Sequence, residues 1–150
     1  MNIVICGVKG SGKTTLSKMI AENLGYAYIN DYAICENKIS KRKIKTFINS
    51  NDGFVIDLCF SLSPKDCFNL KNCITYFLGF VSADENLLFS LMTKKGENIT
   101  LKQIKKIRKS CARLEKQCLK FGLPFVDINQ DRNVILNTVM QEIKTKLNVQ

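Results

Sequence analysis

The chain contains no histidine. That removes imidazole acid-base chemistry, histidine metal ligation and any Ser-His or Cys-His nucleophile pair, leaving Lys, Arg, Asp, Ser and Thr for whatever chemistry occurs. Seven cysteines, at 6, 35, 59, 67, 73, 111 and 118, form no C-x-x-C pair and are odd in number. No secretory n-region and h-region precedes them. They are expected as reduced thiols in a cytosolic protein, most of them packed as small hydrophobes, Cys59 in the apolar run Phe-Val-Ile-Asp-Leu-Cys-Phe among them. No apolar stretch reaches the roughly 20 residues that cross a bilayer, so no membrane span is expected. Arginine is scarce, occurring only at 42, 108, 113 and 132.

What is present fits one domain over residues 1–150: the 150 residues are 45% apolar, enough core to fold without disulfides or a structural metal. The net charge of +10 points to polyanionic partners, and nucleotide phosphates, RNA and acidic membranes all qualify. The charge is uneven. Between Lys94 and Lys120 stand basic residues at 94, 95, 102, 105, 106, 108, 109, 113, 116 and 120, against Glu97 and Glu115. A solvated helix face and a polyanion-binding face both account for such a run.

Strands and helices alternate from the first residue, the pattern of a parallel sheet covered on both faces. Asn2 to Cys6, Tyr26 to Ile29, Phe54 to Leu58, Cys73 to Val81 and Pro124 to Ile128 read as strands. Leu16, Met19, Ile20 and Leu24 recur at helical spacing before a stop at Gly25. Ser40 is placed to cap a basic helix ending near Ser50, and Ser63-Pro64 to start a short one. Ser82 and Glu85 form a capping-box signature for a helix reaching about Thr93. Residues 94–98 read as a loop. Ile104, Ile107, Cys111, Leu114 and Cys118 give a helix with one apolar stripe, closed by Gly122. Val134 to Leu147 carries a last helix.

The sharpest motif is Gly7-Val8-Lys9-Gly10-Ser11-Gly12-Lys13-Thr14, which matches G-x-x-x-x-G-K-[ST] and lies between an expected strand and an expected helix. In that setting backbone N–H groups and a helix N-terminus converge on the β-phosphate of a nucleoside triphosphate, most readily Mg-ATP. Lys13 is expected to bridge the β- and γ-phosphates, the Thr14 hydroxyl to bind Mg²⁺, and Thr15 to meet the α-phosphate. Asp57, in the strand Phe54-Val-Ile-Asp, has the setting of a carboxylate that holds the metal, often through water. Asp31, just after the second strand, is expected at the C-terminal edge of the sheet where ligands bind; a turn or helix-capping role explains it equally well. Asp57 has no Gly at the third position after it and no Asn-Lys-x-Asp occurs, so a GTPase is disfavoured.

With these residues in place the chain resembles the adenylate kinase-like family of small P-loop phosphotransferases. Residues 3–32, Gly53-Phe-Val-Ile-Asp57, and 75–95 with Ser-Ala-Asp-Glu-Asn-Leu-Leu carry the resemblance, together with Phe125-Val-Asp-Ile-Asn129. It implies a three-layer α/β fold with a five-stranded parallel sheet in the order 2-3-1-4-5. It also implies an acceptor-binding segment at about 31–52 and a short lid at about 93–103. Lys94 and Lys95 occupy the place of the family's lid-hinge arginines, and Lys105, Arg108 and Lys109 are the candidates on the following helix for surrounding the transferring phosphoryl group. Ser90 stands where an arginine usually stacks on adenine. The family's Gly-x-Pro-Arg is Leu58-Cys-Phe-Ser61 here. Lysine supplies charge at such places but not a bidentate fork.

The implied activity is transfer of the ATP γ-phosphoryl group to a nucleotide, nucleoside or similar small acceptor, with Lys13, Asp57, Lys94, Arg108 and Asp31 as the catalytic set. Two alternatives stand beside it: an ATP-dependent switch or ATPase acting with RNA or a protein, and a degenerate kinase that binds nucleotide without transfer.

Overall fold

A computed structural model of the chain describes residues 1–8, 10–59, 61–80, 85–94, 96 and 98–148. Five strands, β1 (Asn2–Gly7), β2 (Ala27–Asn30), β3 (Phe54–Leu58), β4 (Cys73–Gly79) and β5 (Phe125–Asp127), form one parallel sheet in the order β2-β3-β1-β4-β5. Between and after them run α1 (Lys13–Leu24), α2 (Asp31–Cys35), α3 (Lys41–Ser50), α4 (Pro64–Phe68), α5 (Glu85–Lys94), α6 (Leu101–Phe121) and α7 (Arg132–Asn148). The order is the one implied by the resemblance.

Two cores sandwich the sheet, and the pleat of β1 shows why. Successive side chains of a strand point to opposite faces, so Ile3 and Ile5 pack with Leu16 and Ile20 of α1 and Ile135, Val139 and Ile143 of α7. Val4 and Cys6 pack the other way, with Ile44 and Ile48 of α3 and Ile104, Cys111, Leu114 and Cys118 of α6. Every residue of β1 is buried, as befits the central strand of a parallel sheet covered on both sides. Asn2 is the buried polar exception and is fully used. Its Nδ2 donates to the carbonyls of Ile48 (2.9 Å) and Asn51 (2.6 Å), and its Oδ1 accepts from the Phe54 amide at 3.1 Å, tying the end of α3 to the start of β3.

Helix boundaries follow capping chemistry. Ser40 accepts from the Lys43 amide at 3.4 Å. Ser63 and Asp66 form a reciprocal capping box ahead of α4, with Pro64 in its first turn. Thr100 and Gln103 form another ahead of α6, which ends on Gly122. The capping box expected at 82–85 has Ser82 outside the described residues, as is Val81 of the expected fourth strand. The short helix α2, directly after β2, has no amphipathic period to announce it; Asn30 caps it by accepting from the Ala33 amide at 2.9 Å. One core assignment changes. Cys59 is exposed, because it lies just past the end of β3, where the chain leaves the sheet; the other described thiols are buried or half-buried, and all seven are free. No described helix is long and apolar enough to cross a membrane.

Candidate functional site

The C-terminal ends of β1 and β3 bring the expected phosphate-binding residues together. Gly7 ends β1 so close to β4 that a Cβ there would stand 2.8 Å from the Leu78 carbonyl oxygen and 2.9 Å from Ser11 Oγ. Only glycine permits that approach. Gly10 and Gly12 take φ of 77° and 76°, the left-handed region, and turn the chain into α1. Val8 is buried and its amide bonds the Leu78 carbonyl at 3.3 Å; the Ser11 amide bonds Val8 at 3.2 Å. Lys9 lies outside the described residues. Thr15 is exposed in the first turn of α1.

This cradle fits a polyphosphate on three observations. Gly12, at the N-cap of α1, provides no side-chain cap, so the first amides of the helix keep their donors for an anion. Ser11 Oγ is buried without a hydrogen-bond partner. Lys13 is largely buried, 9% exposed, and among the described residues has no ion-pair partner. A buried cation and an orphaned hydroxyl are costly unless something anionic and hydrogen-bonding meets them.

Beside the cradle, Thr14 Oγ1 donates to Asp57 Oδ2 at 2.6 Å. Asp57 is 5% exposed and pairs in register with Asn30 of β2 and Ile5 of β1. The Tyr28 hydroxyl donates to the same Oδ2 at 3.2 Å. Burial and then the Asp57 charge push the Tyr28 hydroxyl above its ordinary value. A hydroxyl and a carboxylate held together beside a phosphate cradle suit Mg²⁺, which takes few protein ligands and completes its shell with phosphate oxygens and water.

The remaining expected site residues are spread over other elements. Asp31 opens α2, is 3% exposed, and accepts from the Cys59 amide at 3.1 Å and from Ser61 Oγ. Both bonds fall on Oδ2, so that oxygen is already engaged by the segment after β3. Lys94 is the exposed last residue of α5, and Lys95 lies outside the described residues. Arg108 of α6 is half exposed and paired with Glu85 of α5 at 3.4 Å. Lys105 and Lys109 are exposed on α6. Since α5 ends at Lys94 and α6 begins at Leu101, the stretch expected as a lid begins and ends in helix.

Three features escaped the sequence reading. Tyr28 reaches Asp57 because it lies two residues before Asn30, the register partner of Asp57, and so on the same face of the sheet; nothing in the local sequence signals this. Met92 of α5 packs on the loop so tightly that a Cβ on Gly10 would lie 2.6 Å from its Sδ and Cε. A cavity of about 600 Å³ opens beside Ser11 and Gly12, lined also by Met19, Phe80 and the segment 130–133. The polar run Gln130-Asp131-Arg132-Asn133, beginning three residues past the end of β5, was the available signal, since ligands gather outside the carboxyl ends of such strands. A second cavity, about 260 Å³, lies on the other face beside Cys6 and Gly7, with Lys41, Ser63, Arg113 and Gln117 on its walls.

The chain matches no family model. It is 35% identical over 101 residues to the cytidylate kinase of Mycoplasmopsis synoviae, a match covering 67% of this chain and 37% of that protein. It is 43% identical over 53 residues to the shikimate kinase of Synechococcus elongatus, covering 35% of this chain and 27% of that protein. The chain thus spans well under half the length of these curated relatives. Among solved structures, the shikimate kinase of Acinetobacter baumannii in complex with shikimate superposes with a TM-score of 0.65 at 15% identity, over 97% of this chain and 94% of that one. The resemblance to the adenylate kinase-like family of small P-loop phosphotransferases is therefore one of fold across nearly the whole chain and of sequence over part of it.

Proposed function

We propose that this chain transfers the γ-phosphoryl group of Mg-ATP to a small-molecule acceptor. The observation that carries the reading is the Thr14–Asp57 hydrogen bond of 2.6 Å, one residue on from a buried lysine that has no ion-pair partner among the described residues. Mg²⁺ held by Thr14 and Asp57 would draw charge from the triphosphate and make its γ-phosphorus more electrophilic. Lys13 places a positive charge on the β- and γ-oxygens, where charge stabilisation is most of the catalysis. The amides from Gly10 to Thr15 orient the phosphates. Thr14, by donating its hydrogen bond to Asp57, keeps its oxygen lone pairs free for a cation, and Asp57 would offer the carboxylate.

The larger cavity, beside Ser11 and Gly12, is suited to the nucleoside part of the donor. The smaller one, beside Gly7, is suited to the acceptor, with Lys41 from the 31–52 segment and Arg113 from α6 facing it. Asp31 then acts on the acceptor side, chiefly by holding the loop after β3. Lys94 and Arg108 act from the 93–103 lid and the helix after it, and Arg108 must leave Glu85 to reach the phosphoryl group. The relatives include a cytidylate kinase and a shikimate kinase, which supports a kinase without selecting between a nucleotide and a hydroxyl acceptor. Seven free thiols favour a cytoplasmic setting.

A second reading, nucleotide binding without transfer, is favoured by Asp31 and Arg108 both being engaged within the protein. A thermal-shift screen of nucleotides and acceptors with Mg²⁺, followed by turnover assays, tests the proposal. Transfer to at least one acceptor is expected. Stabilisation by ATP of about 2.7 kcal/mol at a hundredfold excess over Kd, with no turnover on any acceptor, selects the second reading. Absence of any stabilisation by ATP contradicts both.

A further inference from the structure

The long helix α6 carries a row of cations of which only Lys109 and Arg113 also bear on the proposed transfer site. Lys102, Lys106, Lys109, Arg113, Lys116 and Lys120 are spaced by steps of four and three, so at 100° per residue they fall within about 40° of one line along the helix. All six are exposed. Among the described residues none has an ion-pair partner. The line faces away from Ile104, Cys111, Leu114 and Cys118, which are buried, and it is about 27 Å long at 1.5 Å per residue. Glu115 stands about 140° around the helix from it.

A solvated helix face ordinarily mixes signs, because like charges at i,i+4 cost about 0.2–0.5 kcal/mol per pair. Here 102 and 106, 109 and 113, and 116 and 120 are all such pairs, and no carboxylate lies between them on the line. A polyanion relieves that repulsion. At the C-terminal end of the line stands an aromatic pair: Phe68 of α4, 58% exposed, has its ring centroid 5.6 Å from that of Phe121, and Lys120 Nζ lies 5.7 Å from the Phe121 ring. A row of cations that follows a backbone, together with an exposed ring on which a base stacks, is the combination that holds single-stranded nucleic acid. An acidic membrane is a poorer match, because the apolar face that would enter the headgroup layer is packed in the core. A duplex keeps its bases stacked on one another and has no use for Phe68.

We propose that the outer face of α6, with Phe68 at its end, binds a single-stranded polynucleotide, its phosphates along the six cations and one base on the phenyl ring. The proposal does not rest on phosphoryl transfer. The test is fluorescence polarisation with a labelled 20-nucleotide oligouridylate, titrated from about 50 to 200 mM salt. Six phosphate contacts predict a log–log salt slope of about −4. Lys106→Gln/Lys116→Gln/Lys120→Gln should flatten that slope by about 2, and the single variant Lys116→Gln by about 0.7, should the triple variant fail to fold. Phe68→Ala should weaken binding at least about fivefold with the slope unchanged. Any one of four results overturns the proposal: no binding at 50 mM salt, an unchanged slope in the lysine variants, parental affinity in Phe68→Ala, or binding at least as tight to a 20-base-pair duplex or to phosphatidylserine vesicles.

Discussion

On the donor side, Lys13, Thr14 and the glycine turn follow one another in sequence, and Asp57 is brought to them by the pairing of β1 with β3 in the middle of the sheet. On the acceptor and lid side, Asp31, Lys94 and Arg108 come from α2, α5 and α6, and two of the three are already bonded elsewhere in the protein. In the first region Lys13 and Asp57 are buried and Thr14 is bonded to Asp57 before any ligand arrives, the preorganisation that electrostatic catalysis of phosphoryl transfer asks for. In the second, Lys94 and Arg108 are exposed cations beside a buried Asp31, and Arg108 must leave Glu85 to act on a phosphoryl group. The proposed triphosphate site is thus preformed while the proposed acceptor side is not.

The comparison breaks most sharply at Lys13. Lys13→Ala should lower transfer at least about 10²-fold, as when a stabilising charge on the reacting phosphates is removed; turnover equal to the parent's across an acceptor panel contradicts the assignment. Gly10→Ala comes next. It places a Cβ at positive φ, 2.6 Å from Met92, and should cost about 1–3 kcal/mol in urea unfolding. Met92→Ala in the same chain should recover part of that loss, and a strictly additive double variant shows that the contact is not the cause. Asp31→Ala leaves the Cys59 amide and the Ser61 hydroxyl without their acceptor, so about 1–3 kcal/mol of stability should go. A variant of parental stability but raised KM for the acceptor shifts Asp31 from holding the loop to binding substrate.

The smallest effect is at Asp66, which ties α3 to α4 through Lys41 at 3.0 Å and Lys45 at 2.7 Å. Burial opposes its ionisation, but hydrogen bonds from Lys45, the Ser63 amide and Lys41 outweigh it and hold the carboxyl well below the usual carboxylate range. A depressed folded-state value means the contribution is complete above the unfolded carboxylate pKa, about 4, and is lost as pH falls below it. The parent should therefore lose more stability than Asp66→Asn between about pH 5 and pH 3, by a few tenths to about 1 kcal/mol per pair. Parallel pH profiles for the two proteins remove these pairs from the account.

The same contrast governs what could be read from the sequence. The strand-loop-helix setting of the glycine loop was legible because it depends on consecutive residues: three glycines, a lysine and a threonine between an apolar strand and a helix. The sheet order followed from the resemblance, and the strand ends were read to within a few residues because β1, β3 and β4 are apolar on both faces. Tyr28 and Met92 were not legible as site residues, since each reaches the site only through strand register or helix packing, whereas the polar 130–133 segment after β5 gave a signal that went unused. Cys59 was misplaced for a related reason: an apolar run gives no sign of where the strand stops and the side chains leave the core.

The central claim is that Thr14 and Asp57 hold a metal beside the triphosphate. It is tested most directly by measuring ATP affinity against Mg²⁺ concentration for the parent and Asp57→Asn. The Mg²⁺-dependent gain in affinity should shrink in the variant while metal-free ATP binding changes little. An identical Mg²⁺ dependence in the two proteins would contradict it.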